Sequence, residues 1–302
     1  MEFSLRALDQ LIAVVEEGSF TRAAKRMHVA QPWLSARIRQ LEELAGLRLL
    51  DRSTRTIRPT PDGEIFLAQA RIVVREARHL ANLSRDLTEG AGTLRVGAAP
   101  YTYFMPERQA LLEGFAAAYP GISLEIENGQ DPQLRQAVLQ GDLDASIVTG
   151  SAPEGCDHLL LRPSPVTLML PREHPLATLE RIPLEALAGV TIAAWRRSAN
   201  PVAWDETVGH MAAAGAEILP LPEPMRRAQI DLARRERLIL AVLGTLPDYD
   251  EAADMKDDSA WVTRPMTDQS LRADVTLIRQ HQDRPRRALD RFWSYARRNL
   301  SP

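Results

Sequence analysis

The stretch 18–58 constrains the fold of this chain more than any other, because it carries two helical patterns separated by a break of only a few residues. Ser19 is a good N-cap, since its hydroxyl can accept a bond from an otherwise unpaired amide of the first turn. The pattern predicts a short helix from Phe20 to about Met27, with Ala23, Ala24 and Met27 on one face. A tight break follows at His28, Val29 and Ala30. Gln31 and Pro32 open a second helix, with Pro32 expected at the first position, where a missing N–H costs nothing. Leu34, Ile38, Leu41 and either Leu44 or Ala45 repeat at helical spacing and predict its buried stripe. Gln31, Trp33, Ser35, Arg37 and Arg39 are left to face solvent or a partner, and Gly46 supplies the stop. Leu47, Leu49 and Leu50 are apolar, residues 51–55 are polar, and Thr56, Ile57 and Arg58 form a β-prone run. That succession predicts a hairpin with a basic tip, so the stretch reads as a winged helix-turn-helix.

The charge is distributed to match. Residues 19–58 hold nine cations against three carboxylates, net +6, on a chain whose formal charge is −3. A local basic patch on an acidic chain points to a polyanion, and nucleic acid is the expected partner. Binding that neutralises phosphates releases counterions, so it weakens steeply with salt. The plainer reading is a small helical bundle with a solvated charged face.

The matching residues extend beyond this pattern. Leu8, Gly18, Ser19, Phe20, Ala23, Ala24, Gln31, Pro32, Ser35, Ile38, Leu41, Glu42, Gly46, Leu49, Arg52, Arg55, Thr60 and Gly63 together resemble the N-terminal domain of the LysR-type transcriptional regulators. Leu11, Met27 and Leu50 depart from the family pattern, apolar for apolar. Trp33 is bulkier than the small residue usual after Gln-Pro. The resemblance implies sequence-specific DNA binding, dimerisation through a long helix, and a sensor domain like a periplasmic binding protein, with two α/β subdomains around a cleft.

At 302 residues and 33.7 kDa the chain can hold two or three domains. A single cysteine, Cys156, excludes an internal disulfide and fits a reducing cytoplasm. No apolar run reaches the ~20 residues of a membrane span, and the first residues carry no signal-peptide pattern. The expected localisation is cytoplasmic, with no membrane partner.

In chain order, residues 5–17 predict an amphipathic first helix. Thr60, Pro61 and Asp62 begin a long helix to about Leu87, with Phe66, Val73, Ala77, Leu80 and Leu87 on one stripe. The resemblance implies that this helix pairs antiparallel with that of a second copy; packing on its own sensor domain is the alternative. Residues 88–92, with Gly90 and Gly92, read as a hinge. From residue 93 strands and helices alternate, which predicts βαβ units and a parallel sheet. Strands are expected at 94–98, 122–126, 145–149, 166–170, 190–194, 217–219, 238–242 and 274–278. Helices are expected at 105–119, 132–140, 201–214, 225–235 and 285–299. Asp142 to Val148 (the run DLDASIV), Pro106 and the HPLA of His174 to Ala177 strengthen the family resemblance. The expected domains are a winged helix-turn-helix at 1–59, a linker helix at 60–89 and an effector-binding domain at 93–302. Its first subdomain comprises 93–161 and 265–302, its second 162–264.

The candidate DNA contacts are Gln31, Pro32, Trp33, Ser35 and Arg37 on the second helix, where amide and guanidinium groups can read base edges. Arg22, Arg52, Thr54 and Arg55 suit phosphate or minor-groove contact. Open α/β sheets bind ligands at the carboxyl ends of strands. Pro100, Tyr101 and Thr102 follow the first strand, Thr149 and Gly150 the third, and Trp195, Ser198 and Asn200 a strand of the second subdomain. They suit a small organic or aromatic acid as effector. The six histidines are scattered. No metalloprotease HExxH, no GxSxG and no paired cysteines are present, so neither catalysis nor a metal or cofactor is expected. The reading is an effector-controlled DNA-binding regulator, a homodimer and by the resemblance a tetramer, with RNA polymerase a further candidate partner. An enzyme with a DNA-binding head and a constitutive DNA-binding protein are the alternatives.

Overall fold

The computed structural model describes residues 3–51, 57–88, 92–221, 226–244, 260–281 and 286–300. The chain divides into two compact units, Met1–Thr88 and Glu89–Pro302.

The first unit is built on α1 (Leu5–Glu17), α2 (Phe20–Arg26) and α3 (Gln31–Ala45), a hairpin of β1 (Leu50–Asp51) and β2 (Arg58–Pro59), and α4 (Pro61–Thr88). Gly18 and Gly46, both left-handed, end α1 and α3. Ser19 caps α2 by accepting from the Arg22 amide. His28, in the turn between α2 and α3, is also left-handed, at φ +53°. Leu8, Leu11, Ile12, Ala23, Ala24, Leu34, Ile38, Leu41, Leu49 and Leu50 form one core, closed by Leu67, Ala70 and Val74 of α4. Two expectations change here. Pro32 is the second residue of α3 rather than the first, because Ala30 is its N-cap. Leu44 is exposed and Ala45 half-buried, because the stripe has rotated off the core by the last turn.

Polar bonds join α3, the hairpin and α4. Glu42 Oε1 accepts from the amides of Leu49 (2.9 Å) and Leu50 (3.0 Å). Thr60 Oγ1 donates to the Arg48 carbonyl and accepts from the Gly63 amide. Gly63 is required there: a Cβ would lie 2.0 Å from the Leu49 carbonyl oxygen. On α4 the packed face is Leu67, Ala70 and Val74, while Ile65, Ile72, Val73 and Leu80 are exposed. The hinge expected at 88–92 falls mostly on residues outside the described ones.

The second unit holds two five-stranded sheets. The first contains β3 (Thr93–Ala98), β4 (Ser123–Asn128), β5 (Ala145–Thr149), β6 (Cys156–Arg162) and β12 (Val275–Gln280), in the order β4-β3-β5-β12-β6. Helices α5 (Pro106–Ala118), α6 (Asp131–Gln140) and α10 (Arg287–Asn299) flank it. Phe115, Phe292 and Trp293 fill the core between it and α5 and α10. The second contains β7 (Val166–Pro171), β8 (Thr191–Ala194), β9 (Glu217–Pro220), β10 (Ile239–Leu243) and β11 (Trp261–Pro265), in the order β11-β7-β10-β8-β9. With it go α7 (Pro201–Glu206), α8 (Val208–Ala213) and α9 (Arg226–Glu236).

Both sheets are mixed, not parallel throughout. β12 is antiparallel to β5 and β6, and β7 is antiparallel to β10 and β11. A parallel neighbour needs a crossover of a dozen or more residues. The short passage from β6 at Arg162 to β7 at Val166 carries the chain from the first sheet into the second. Strands β6 and β11 had no sequence signal of their own: CDHLLLR and WVTRP are half-exposed and interrupted by charge. The single helix expected over 201–214 is two. Thr207, fully buried, breaks it at φ −131°, ψ −78° and turns its hydroxyl onto the Ala203 carbonyl.

Candidate nucleic-acid interface and lobe junction

In the first unit, Leu34, Ile38 and Leu41 are held in the core and fix the rotation of α3. Gln31, Pro32 and Trp33 therefore point outward, and Ser35 and Arg37 are half-buried beside them. Arg37 Nη1 donates to Gln40 Oε1 at 3.2 Å. The Arg6 guanidinium of α1 lies 5.7 Å from the centre of the Trp33 ring. Arg22 is exposed, but it donates to the Glu17 carbonyl and pairs with the Glu17 carboxylate at 3.6 Å. Arg26 pairs with Glu16 at 2.9 Å and Glu17 at 3.4 Å. Those two acids lie just outside the window that gave +6: counted from Glu16, nine cations face five carboxylates. Arg52, Thr54 and Arg55 lie outside the described residues.

The sensor candidates converge unevenly. Residues 100–102 form a single 3₁₀ turn. Thr102 is fully buried and its hydroxyl donates to the Ala99 carbonyl, so it turns away from any ligand. Tyr101 is brought to the end of β5: its hydroxyl donates to Asp131 Oδ2 and lies 2.8 Å from Thr149 Oγ1. Asp131 Oδ1 accepts from the Thr149 amide at 2.7 Å. Arg135 donates to the carbonyls of Ser151 and Thr149. Asp131, Arg135 and Asn200 were not read together from the sequence. The available signal was the position of Asp131 and Arg135, one turn apart at the start of α6.

This cluster also joins the two lobes. Asn200 Nδ2 donates to the Thr149 carbonyl at 3.0 Å, while its Oδ1 caps α7 through the Ala203 amide. Glu206 accepts from the Ser151 amide at 3.0 Å. Gly150, at φ +96°, has no room for a side chain: a Cβ would lie 2.9 Å from Val202 and 3.0 Å from Glu206 Oε2. Below it Asp274 Oδ1 accepts from the Ser164 amide at 2.9 Å, tying one crossover to the other. Pro100 is exposed, Trp195 is half-buried against the second-lobe core, and Ser198 is exposed.

Burial shifts the titration of the cluster. It raises the Asp131 carboxyl above the usual range, against the hydrogen bonds from Tyr101 and Thr149 that lower it. Burial, then the Asp131 charge, raises the Tyr101 phenol well above its usual value, although one side of the ring is open to solvent. Burial lowers Arg135. The Cys156 thiol, half-buried, is pushed up to about 11, which leaves it protonated and unreactive at neutral pH. Among the described residues no group of three or more His, Cys, Asp or Glu side chains could hold a metal, and no helix is long and apolar enough to cross a membrane.

Comparison with known proteins agrees with this architecture. Residues 5–64 match the family model for the bacterial regulatory helix-turn-helix protein, lysR family, and residues 88–301 match that for the LysR substrate binding domain. The transcriptional regulator YnfL of Escherichia coli (strain K12), itself described as uncharacterized, is 33% identical over 190 residues. That match covers 62% of this chain and 64% of YnfL, so the chain spans under two thirds of that relative's length. The transcriptional regulator AlsR of Bacillus subtilis (strain 168) is 30% identical over 216 residues, 70% of each chain. The crystal structure of CbnR, a LysR family regulator, aligns over 99% of this chain and 100% of its own at TM-score 0.54 and 21% identity. Full-length BenM aligns over 98% and 96% at the same TM-score and identity.

Proposed function

The chain belongs to the LysR family of bacterial regulatory proteins, and on that premise we propose that it is a sequence-specific DNA-binding transcriptional regulator controlled by a small molecule. The observation that carries this reading is the first turn of α3. Gln31, Ser35 and the indole N–H of Trp33 have no hydrogen-bond partner among the described residues, yet they stand on a helix that the core cannot let rotate. Groups held in place and left unsatisfied suit recognition of base edges from the major groove. Arg37, with Gln40 beside it, extends that face, and Arg22 with the cations of the hairpin tip serves the phosphates. Sequencing of DNA captured by the purified chain tests this. Enrichment of a common duplex sequence, lost in Arg37→Ala more than random-duplex binding is lost, supports it; equal binding to all duplexes overturns it.

The exposed Ile65, Ile72, Val73 and Leu80 of α4 support a homodimer through that helix, and a tetramer built from two such dimers. Two reading heads then meet half-sites about 34 Å apart or a multiple of it. A monomeric mass in light scattering at micromolar concentration overturns this part. RNA polymerase is the partner through which such a dimer acts on transcription.

The effector is assigned to the junction of the two lobes, as a small organic or aromatic acid. Trp195 offers an aromatic face, and Ser198 and Arg196 a hydroxyl and a cation in the same turn. A ligand that prefers one lobe spacing over another shifts that equilibrium and with it the DNA-bound form. Calorimetric titration with benzoate, salicylate and succinate tests the class. Binding weakened by Ser198→Ala and Trp195→Ala supports the site; binding unaffected by both places the ligand elsewhere.

A further inference from the structure

Trp33 is a large apolar side chain on the outer face of α3, beside the polar Gln31, Ser35 and Arg37 and more than two turns from Leu44, the other large apolar residue that the helix exposes. It is 45% exposed, while the adjacent Leu34 is fully buried. Because Leu34, Ile38 and Leu41 lock the helix, the indole cannot turn inward without unpacking that core. The Arg6 guanidinium, 5.7 Å from its centre, steadies the ring from the side of α1. No hydrogen bond engages its indole N–H among the described residues. An apolar surface held rigidly against water within a basic region gains by meeting an apolar surface on the polyanion itself. Of the base edges in the major groove, only thymine offers one, its C5-methyl group.

We propose that Trp33 is a specificity-determining residue that reads thymine by packing its indole face on that methyl group. The proposal rests on the DNA-binding reading above and adds a base to it. Contact through the indole N–H to a phosphate would instead be indifferent to sequence.

The test uses the full-length chain and a random 40-base-pair duplex library. The duplex most enriched by the wild-type chain is resynthesised with deoxyuridine at each thymine in turn, which removes only the methyl group. Binding is followed by fluorescence anisotropy, and the fold of each variant by circular dichroism. One position per half-site is expected to weaken about fourfold on loss of its methyl. Trp33→Ala should bind the thymine and uracil duplexes equally, and Trp33→Phe, which keeps an apolar face without the N–H, should still discriminate. Wild-type binding unchanged by every uracil overturns the proposal and leaves the DNA-binding reading standing. So does Trp33→Ala that still discriminates, or Trp33→Phe that behaves as Trp33→Ala. A library from which the wild-type chain enriches nothing overturns both.

Discussion

The first turn of α3 and the end of β5 both gather polar side chains on a well-packed base, and they treat them in opposite ways. On α3, Gln31, Ser35 and the indole N–H of Trp33 have no hydrogen-bond partner among the described residues. At the end of β5, Tyr101, Asp131, Arg135, Thr149 and Asn200 bond to one another and to the backbone. The difference follows from water. An exposed donor without a protein partner is satisfied by solvent and remains available to a ligand. A buried one must find its partner inside the protein; here Tyr101, Asp131, Arg135 and Thr149 find theirs within the first lobe, and Asn200 reaches Thr149 across the junction. The first region is therefore a surface for contact, and the second is a joint.

The hardest test of that contrast attacks the base of the contact surface. Leu34 is fully buried beneath Trp33. Leu34→Ala should destabilise the first unit by about 3 kcal/mol and remove DNA binding, while the second unit unfolds at its wild-type temperature. Differential scanning calorimetry reads both transitions. If both shift together, the units are not independent and the contrast between them dissolves.

Next in size is the joint itself. Gly150→Ala places a methyl group against Val202 and Glu206 in a left-handed backbone conformation. The expected cost is about 2 kcal/mol, from strain and overpacking together, read as a lower urea midpoint for the second unit. A neutral substitution would mean that the lobes part freely there, and the end of β5 would then be a surface like α3.

The two regions were unequally legible in the sequence, for the same physical reason. Ser19, His28, Gly46 and the Leu34, Ile38, Leu41 stripe are local signals, so they marked α2, the turn and α3 with small errors at Pro32 and Leu44. The joint is made of contacts between residues far apart in the chain. Tyr101, Thr149 and Asn200 could each be placed after a strand, but nothing local said that Asp131 engages Tyr101 and Thr149 or that Arg135 and Asn200 share the Thr149 carbonyl. Thr102 looked like its neighbour and is buried in the turn instead. Strands β6 and β11 lack alternation because β6 is half-covered and β11 borders the sheet. Of the stripe expected on α4, Val73 and Leu80 are exposed, whereas Leu67, Ala70 and Val74, which it left out, form the face packed on the core.

The pH dependence sharpens the description of the joint. Burial raises the folded carboxyl of Asp131 above its unfolded value of about 3.9. The folded state then holds the proton more tightly. This group's contribution is full below about pH 3.9 and is lost as pH rises through the raised folded value. Asp131→Asn removes the titration. The stability of the wild-type second unit should therefore fall relative to the variant as pH rises from about 3.9 through the raised folded value. Urea midpoints that run parallel at every pH would show Asp131 to be solvated, and the joint to be open.

The smallest expected effect lies on the contact surface and separates cations that look alike in the sequence. Arg39 is exposed and has no partner among the described residues, whereas Arg26 is already matched by Glu16 and Glu17. A phosphate that meets Arg39 displaces only counterions. One that meets Arg26 must compete with two carboxylates, and less counterion release is left to lose. Arg39→Ala should lower the slope of log affinity against log salt by about 0.9, and Arg26→Ala by clearly less. Fluorescence anisotropy on one duplex between about 50 and 200 mM salt resolves the difference. Equal slopes for the two variants would mean that the acids of α1 release Arg26 on binding, so that pairing in the free chain does not decide which cations meet DNA.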